Sequence, residues 1–283
     1  MKNKIRTIII NILSNTLGNL LVFLQPHKAR ELSKKGMTLV MKNDLSVKER
    51  LMRRAILKKT EKKGNFKELA EFHENYWANK GADFFDANNK RLEHINLPFC
   101  DFIFDLLGEE LSKQNEGYHT LVEIGTGNGR VLDYLSTKFH GLDKFIGIDL
   151  SEVQTNNNTR YYKKNPKLEF VTSDAFDWVD KHGQGNTIFL TFMGVLEYFT
   201  EQKLQDFLIR LNSLGKIIFV AIEPNGINHD FVKNPHSQVY GTERSFSHNY
   251  PKLFKNSGFE FWHSSKKTLE GNICFMNFIG AKN

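Results

Sequence analysis

The chain is 283 residues long, 40% hydrophobic and 12% aromatic, with a net charge of +7. That content is globular and allows one large domain, or one domain with an extension, around an ample core. The two cysteines, Cys100 and Cys274, lie far apart among apolar residues and match neither a metal spacing nor a disulfide framework. Both are therefore expected to be buried and free, which excludes a disulfide-framed secreted module and points to a reducing interior.

The charge is concentrated at the start of the chain. Residues 1–63 hold 16 Lys/Arg against 4 Asp/Glu, a net of +12, whereas residues 64–283 hold 23 against 28, a net of −5. Such segregation points to an anionic partner for the first segment, either a membrane surface or nucleic acid. Residues 7–26 carry no charge and are long enough to cross a bilayer. On a helical wheel, however, Asn11, Ser14, Asn15, Gly18 and Asn19 share one side with Lys4 and Thr7. Ile5, Ile9, Ile12, Leu13, Leu17, Leu20, Phe23 and Leu24 take the other side. A polar stripe facing lipid tails is costly, so a helix lying flat in the interface is the better expectation. The broken apolar run, with no small-residue cleavage site, disfavours a signal peptide.

A basic helix follows. Ser46 and Glu49 have the spacing of a capping box, and Val47, Leu51, Ala55 and Ile56 form a modest apolar stripe among Lys48, Arg50, Arg53, Arg54, Lys58 and Lys59. Residues 1–63 thus read as a basic amphipathic helical extension with two membrane-binding features. Packing of the first helix on the body is the alternative. Nucleic acid is disfavoured because no aromatic residues are interleaved with these charges.

From Gly64 the pattern changes, and residues 64–283 read as a second domain. Phe72, Tyr76 and Trp77 belong to an aromatic lead-in, and Asn96-Leu97-Pro98 opens a helix carrying Phe99, Phe102, Ile103, Leu106 and Leu107. Strands are expected at 120–124, 144–149, 168–172, 187–192, 216–222, 259–264 and 273–280. Helices are expected near 129–139, 151–164, 176–182, 200–213 and 250–256. This alternation predicts an α/β fold, doubly wound, with a seven-stranded mostly parallel sheet covered on both faces.

Between the first strand and its helix lies Gly125-Thr126-Gly127-Asn128-Gly129. Three glycines in five residues let the backbone turn sharply and approach a ligand closely. A dinucleotide turn reads G-x-G-x-x-G and cradles a pyrophosphate. Here the third glycine comes one residue early, and Glu123 precedes the turn. Acid at that place repels a pyrophosphate and suits a cationic or zwitterionic ligand. Asp149, 20 residues beyond Gly129, closes the second strand, where a carboxylate accepts hydrogen bonds from ribose hydroxyls. Ser173-Asp174-Ala175 follows the third strand, where a side chain can meet an adenine amino group.

On these residues, from about Leu97 to Ala281, the chain resembles the class I S-adenosylmethionine-dependent methyltransferases. The resemblance implies a Rossmann-like sheet ending in an antiparallel strand and S-adenosyl-L-methionine as cofactor. By the family's pattern Glu123, Gly125, Thr126, Gly127, Asn128 and Gly129 would hold the methionine moiety, and Asp149 with Leu150 the ribose. Ser173, Asp174 and Ala175 would flank the adenine, and Met193 and Gly194 would line the cofactor near its sulfonium. No Asp/Asn-Pro-Pro-Tyr/Phe motif follows the fourth strand, which makes bases and glutamine amides poor acceptors, leaves O-, C- or other N-acceptors open, and favours O- or C-methylation of a small-molecule, lipid or sugar-linked acceptor over base or amide N-methylation. A hydroxyl acceptor needs a base, and Glu197 and His248 are the candidates. The histidines of the link after the fifth strand, His229 and His236 with His248, fit no metal spacing, so no metal is expected. The expected location is cytoplasmic, peripheral on the inner membrane surface. A non-catalytic cofactor-binding scaffold and an NAD-dependent oxidoreductase are the competing classes; the early third glycine and Glu123 disfavour the latter.

Overall fold

In the computed structural model, residues 13–38, 44–113, 117–268 and 274–283 are described, apart from the side chains of 86–89. The sequence-predicted positions Lys4, Ile5, Thr7, Ile9, Asn11, Ile12 and Ile273 lie outside them. By internal contacts the chain forms two compact units. One is Met1–Lys80 with Val239–Ser245, the other Gly81–Gln238 with Phe246–Asn283. The division falls at 80/81, whereas the change in charge falls at 63/64. Charge marks surface chemistry, but packing decides the unit: the Met37 N–H donates to the Phe72 carbonyl, and Thr38 bonds to buried His73, tying residues 66–80 to the preceding helices.

The first unit is helical. A π-helical turn at Ser14–Gly18 runs into α1 (Asn19–Leu24), followed by α2 (Pro26–Lys35) and α3 (Val47–Lys62); α4 spans Phe66–Arg91. The capping box expected at α3 is formed, with Ser46 Oγ accepting from the Glu49 N–H and Glu49 accepting from the Ser46 N–H. The stripe expected on α3 is corrected in part. Val47 is exposed, and the buried face is Met52, Arg53, Ala55, Leu57 and Thr60.

In the second unit, α5 (Leu97–Ser112) precedes an alternation of β1 (Thr120–Ile124), α6 (Arg130–Lys138), β2 (Lys144–Asp149), α7 (Glu152–Tyr161), β3 (Leu168–Thr172), α8 (Ala175–His182), β4 (Thr187–Phe192), α9 (Glu201–Asn212) and β5 (Ile217–Gly226). Short strands β6 (Gln238–Tyr240) and β7 (Ser245–Ser247) pair separately, and α10 (Tyr250–Asn256), β8 (Glu260–Thr268) and β9 (Cys274–Lys282) complete the chain. The sheet order is β3-β2-β1-β4-β5-β9-β8, with β1 to β5 parallel and β9 antiparallel to both β5 and β8. Alternate residues supply two cores. Val122, Ile148, Phe189 and Phe219 face α8, α9 and α10, whereas Leu121, Phe145, Ile188 and Val220 face α5 and α6. Consecutive strands β1 and β2 lie to one side of the crossover and β4 and β5 to the other, so the carboxyl ends of β1 and β4 open the crevice where such sheets bind ligands.

The sequence pattern stops β5 at Ile222, yet the strand runs to Gly226. Its pairing with β4 ends at Phe192–Ile222, and beyond that point it pairs only with β9, through Glu223–Asn277 and Pro224–Met276. Pro224 therefore removes no ladder bond to β4. Phe219, fully buried at the centre of one core, tests the packing: Phe219→Ala is expected to cost about 3–5 kcal/mol, read from the urea midpoint.

Candidate active site

All three glycines of the turn after β1 adopt left-handed φ, at 69° for Gly125, 53° for Gly127 and 73° for Gly129. A Cβ on Gly125 would meet Val195 at 2.7 Å and one on Gly129 would meet Phe170 at 2.7 Å; on Gly127 it would overlap the Phe85 ring. The turn is held from several directions. The N–H groups of Gly125 and Thr126 both donate to the Ile148 carbonyl, at 2.8 and 3.0 Å. Asp149 accepts from the Gly127 N–H through Oδ2 and from the Ser151 N–H through Oδ1, each at 2.9 Å. Asn158 Nδ2 donates to the Gly127 carbonyl at 2.7 Å, and the Tyr162 hydroxyl donates to the Asn128 carbonyl at 3.1 Å. Sequence reasoning passed over Asn158, Tyr162 and Phe85. The signal for Asn158 is α7 itself, a helix with almost no apolar residues whose buried face is Gln154, Thr155 and Asn158.

Glu123 is buried below the turn and accepts from Thr126 Oγ1 at 2.7 Å. Burial pushes its pKa up to about 8, with the nearby Asp149 carboxylate adding to the effect against the Thr126 bond. Burial also raises Asp149, opposed by the N–H groups of Ser151, Gly127 and Leu150. Among the described residues neither carboxyl has an ion-pair partner. The Asp149 carboxylate has about four lone-pair positions and meets three backbone N–H groups, which leaves acceptor capacity for a hydroxyl. This arrangement fits a cationic nucleoside: carboxyls for an ammonium or sulfonium, spare acceptors for a ribose, and a turn that a side chain would fill. It does not fit a pyrophosphate.

On the expected adenine side, Ser173 Oγ donates to the Asp174 carbonyl at 2.9 Å, and Ala175 begins α8. Asp174 caps that helix, with Oδ1 accepting from the N–H groups of Phe176 and Asp177 at 2.8 and 3.4 Å. After β4, Met193 and Gly194 both take positive φ, 57° and 109°. The left-handed Met193 is a strained position, held by its N–H bond to the Ile222 carbonyl at 2.7 Å.

Glu223 braces the segment that follows. Its buried carboxyl accepts from the N–H groups of Val195 and Leu196, both at 3.1 Å, and burial with the nearby Glu197 charge raises it to about 8. Of the two sequence-predicted base candidates, Glu197 lies on this segment and His248 hydrogen-bonds to it through the Leu196 carbonyl. Glu197 is buried, with its carboxylate 2.6 Å from where a Cβ on Gly194 would stand. His248 is fully buried, and Nε2 lies 3.2 Å from the Leu196 carbonyl, so it donates there. Nδ1 then accepts from Ser237 Oγ at 2.6 Å. Burial lowers its pKa to about 4, so the ring is neutral and any proton reaching Nδ1 passes through Ser237. Asn249 caps α10 and Pro251 lies in its first turn. Glu223 and Ser237 were not among the sequence candidates. Both lie in a segment whose pattern offered only a link.

Two expectations follow. A carboxyl raised on folding stabilises the ligand-free protein fully below its ordinary value near 4.5, and that contribution is lost as pH rises through about 8. The melting temperature is therefore expected to fall from pH 5 to pH 8.5, and the fall to be shallower in Glu223→Gln. Binding of S-adenosylhomocysteine at pH 7 is expected to release up to about one proton as Glu123 ionises beside the ligand's ammonium. Calorimetry in two buffers of different ionisation enthalpy reads this release, which Glu123→Gln should abolish.

Residues 121–216 match the family model described as a methyltransferase domain. The chain is similar in fold to magnesium protoporphyrin IX methyltransferase from Synechocystis PCC 6803 with bound SAM, at 13% identity over 74% of this chain and 95% of that one, with a TM-score of 0.51. It also aligns with a SAM-dependent methyltransferase from Aquifex aeolicus at 18% identity, covering 71% and 96% of the two chains with a TM-score of 0.47. No curated protein matches the sequence. The matched residues contain the glycine turn, Glu123, Asp149 and the post-β4 segment, so residues 121–216 form a methyltransferase domain, and S-adenosylmethionine is the cofactor that these features fit.

Proposed function

We propose that this methyltransferase works at a membrane surface on a small-molecule, lipid or sugar-linked acceptor, transferring the methyl group to oxygen or carbon. The observation that carries the membrane reading is the orientation of the first helix. Ser14 and Gly18 of its polar face are turned inward while Asn15 and Asn19 stay exposed: Ser14 is buried, and a Cβ on Gly18 would come within 2.6 Å of the Leu51 carbonyl on α3. Its apolar face is left outside, with Leu13, Leu17, Leu20, Phe23 and Leu24 exposed by 41%, 43%, 51%, 81% and 63%. An ordinary surface helix has the opposite arrangement. Among the described residues no helix is long and apolar enough to cross a membrane, so a stripe of this kind beside a basic helix suits shallow insertion among anionic headgroups.

The cofactor supplies a methyl carbon activated by a sulfonium, and the chain's own residues orient the acceptor, exclude water and take up its proton. Glu197 can accept that proton directly. Ser237 can pass it to Nδ1 of His248, whose ring the Leu196 carbonyl orients through Nε2. The sequence after β4, Met193-Gly194-Val195-Leu196, lacks the prolines and terminal aromatic residue of enzymes that grip an exocyclic or amide nitrogen, which supports the choice of oxygen or carbon.

The double variant Phe23→Glu/Leu24→Glu is expected to weaken co-sedimentation with phosphatidylglycerol-rich vesicles by about tenfold or more at an unchanged melting temperature. Undiminished binding would contradict the membrane reading. Under the relay reading, Ser237→Ala is expected to lower turnover about 10²-fold, with S-adenosylhomocysteine affinity within a factor of two. Equal losses in both would mark Ser237 as a structural post.

A further inference from the structure

We infer that the N-terminal helical unit contains a binding site for a phosphate-type anion bearing a small apolar group, built in the cavity between α2, α3 and the first half of α4. This rests on the membrane reading only in its lipid form, since a soluble phosphate ester would use the same site.

The cavity encloses about 240 Å³ and is lined by four cationic side chains, Lys28, Lys35, Arg53 and Lys80, against two acidic ones, Asp44 and Glu49. That volume holds a phosphate ester and leaves room for a few carbon atoms. Leu32, Met37, Leu45 and Tyr76 supply the apolar part of the wall.

Arg53 is the decisive residue. It is 94% buried, an unusual place for a guanidinium that no carboxylate among the described residues hydrogen-bonds, although the Glu243 charge acts on it through space. Nε donates to the Met37 carbonyl at 2.7 Å, and Nη2 donates to the carbonyls of Met37 and Thr38. Those bonds fix the plane of the group. They leave Nη1 with both N–H donors unused among the described residues, on a side chain that lines the cavity. Burial lowers the pKa to about 10, so the charge persists at neutral pH. A fixed, buried guanidinium with a free donor pair matches the geometry of phosphate oxygens better than a flexible ammonium does.

Of the nearby acidic residues, Glu49 is already engaged, while Asp44 in the wall and the Glu243 charge on Arg53 temper the positive field. Glu49 is held at a pKa of about 2 chiefly by its bonds to the Ser46 hydroxyl and N–H, so it serves the cap of α3 and neutralises Lys28 at 3.0 Å. Lys35 is exposed and among the described residues pairs with Glu31, one turn before it on α2, an ion pair in water that yields readily to a stronger anion. Gly36, at φ 85°, lets the chain leave α2 against the Tyr76 backbone, where any Cβ would overlap, and so keeps Met37 and its carbonyl in reach of Arg53.

The test uses the full-length protein and three probes: glycerol 3-phosphate, dihexanoyl phosphatidic acid below its micellar concentration, and vesicles of phosphatidylcholine with or without phosphatidic acid. Calorimetry is expected to show one site for at least one of the two soluble probes. Lys28→Gln/Lys35→Gln should weaken it at least tenfold, with the melting temperature unchanged. Arg53→Lys, which keeps the charge and loses the planar fork, should weaken it similarly. Phe23→Glu/Leu24→Glu should weaken vesicle binding about tenfold or more yet leave soluble titration intact, which separates failure of the pocket from failure of the membrane reading. Equal affinity for the two soluble probes assigns the site to a free phosphate ester, and a clear preference for the lipid assigns it to a headgroup. No saturable binding of either, or binding indifferent to Lys28→Gln/Lys35→Gln and to Arg53→Lys, would overturn the inference.

Discussion

The carboxylate of Asp149 holds two backbone N–H groups at once, and the shape of the cofactor site follows from that pair of bonds. Through Gly127 it fixes the middle of the glycine turn; through Ser151 it fixes the start of α7. A buried carboxylate is tolerated only when such donors satisfy it. In return, the strand ends of β1 and β2 and the turn between them become one rigid piece. Asn158 closes the same piece from the far side by donating to the Gly127 carbonyl. The ligand therefore meets a preformed surface, which lowers the ordering cost of binding.

The second carboxyl, Glu123, follows a different physical logic. It is sealed below the turn with the Thr126 hydroxyl and the Leu132 N–H as donors, and a pKa of about 8 means that it carries little charge in the ligand-free protein at neutral pH. A cation arriving above the turn favours its ionisation. A cationic ligand seated above the turn would thus develop its complementary charge on binding, which avoids holding an unpaired buried anion beforehand. Glu223 has the same raised pKa for a more local purpose, holding the Val195 and Leu196 N–H groups so that the post-β4 segment keeps its left-handed start at Met193 and Gly194.

Much of this was legible in the sequence, because the features concerned are local. Strand and helix alternation, the three glycines and the acids at 123 and 149 are each fixed by neighbours within a few positions, and the strands β1 to β4 fall where hydrophobicity places them. What was not legible depends on contacts distant along the chain. The four extra residues of β5 exist because β9 pairs with them. Phe85 reaches Gly127 only because α4 continues through an aromatic segment that reads as a lead-in. The Ser237–His248 bond joins two parts of an irregular link, so spacing offered His248 without its partner. In the N-terminal unit the wheel separated polar from apolar positions of the first helix but not that Ser14 and Gly18 would turn inward while Asn15 and Asn19 stayed exposed, since that depended on Gly18 fitting closely against Leu51 on α3.

The most direct test of the central claim is a crystal structure of the protein soaked with S-adenosylhomocysteine. The account predicts the ribose hydroxyls on Asp149, the amino-acid end at the turn above Glu123, and the Phe85 ring displaced from Gly127 or stacked on the ligand. A ligand bound elsewhere, or a turn still closed by Phe85 at saturating ligand, would contradict it.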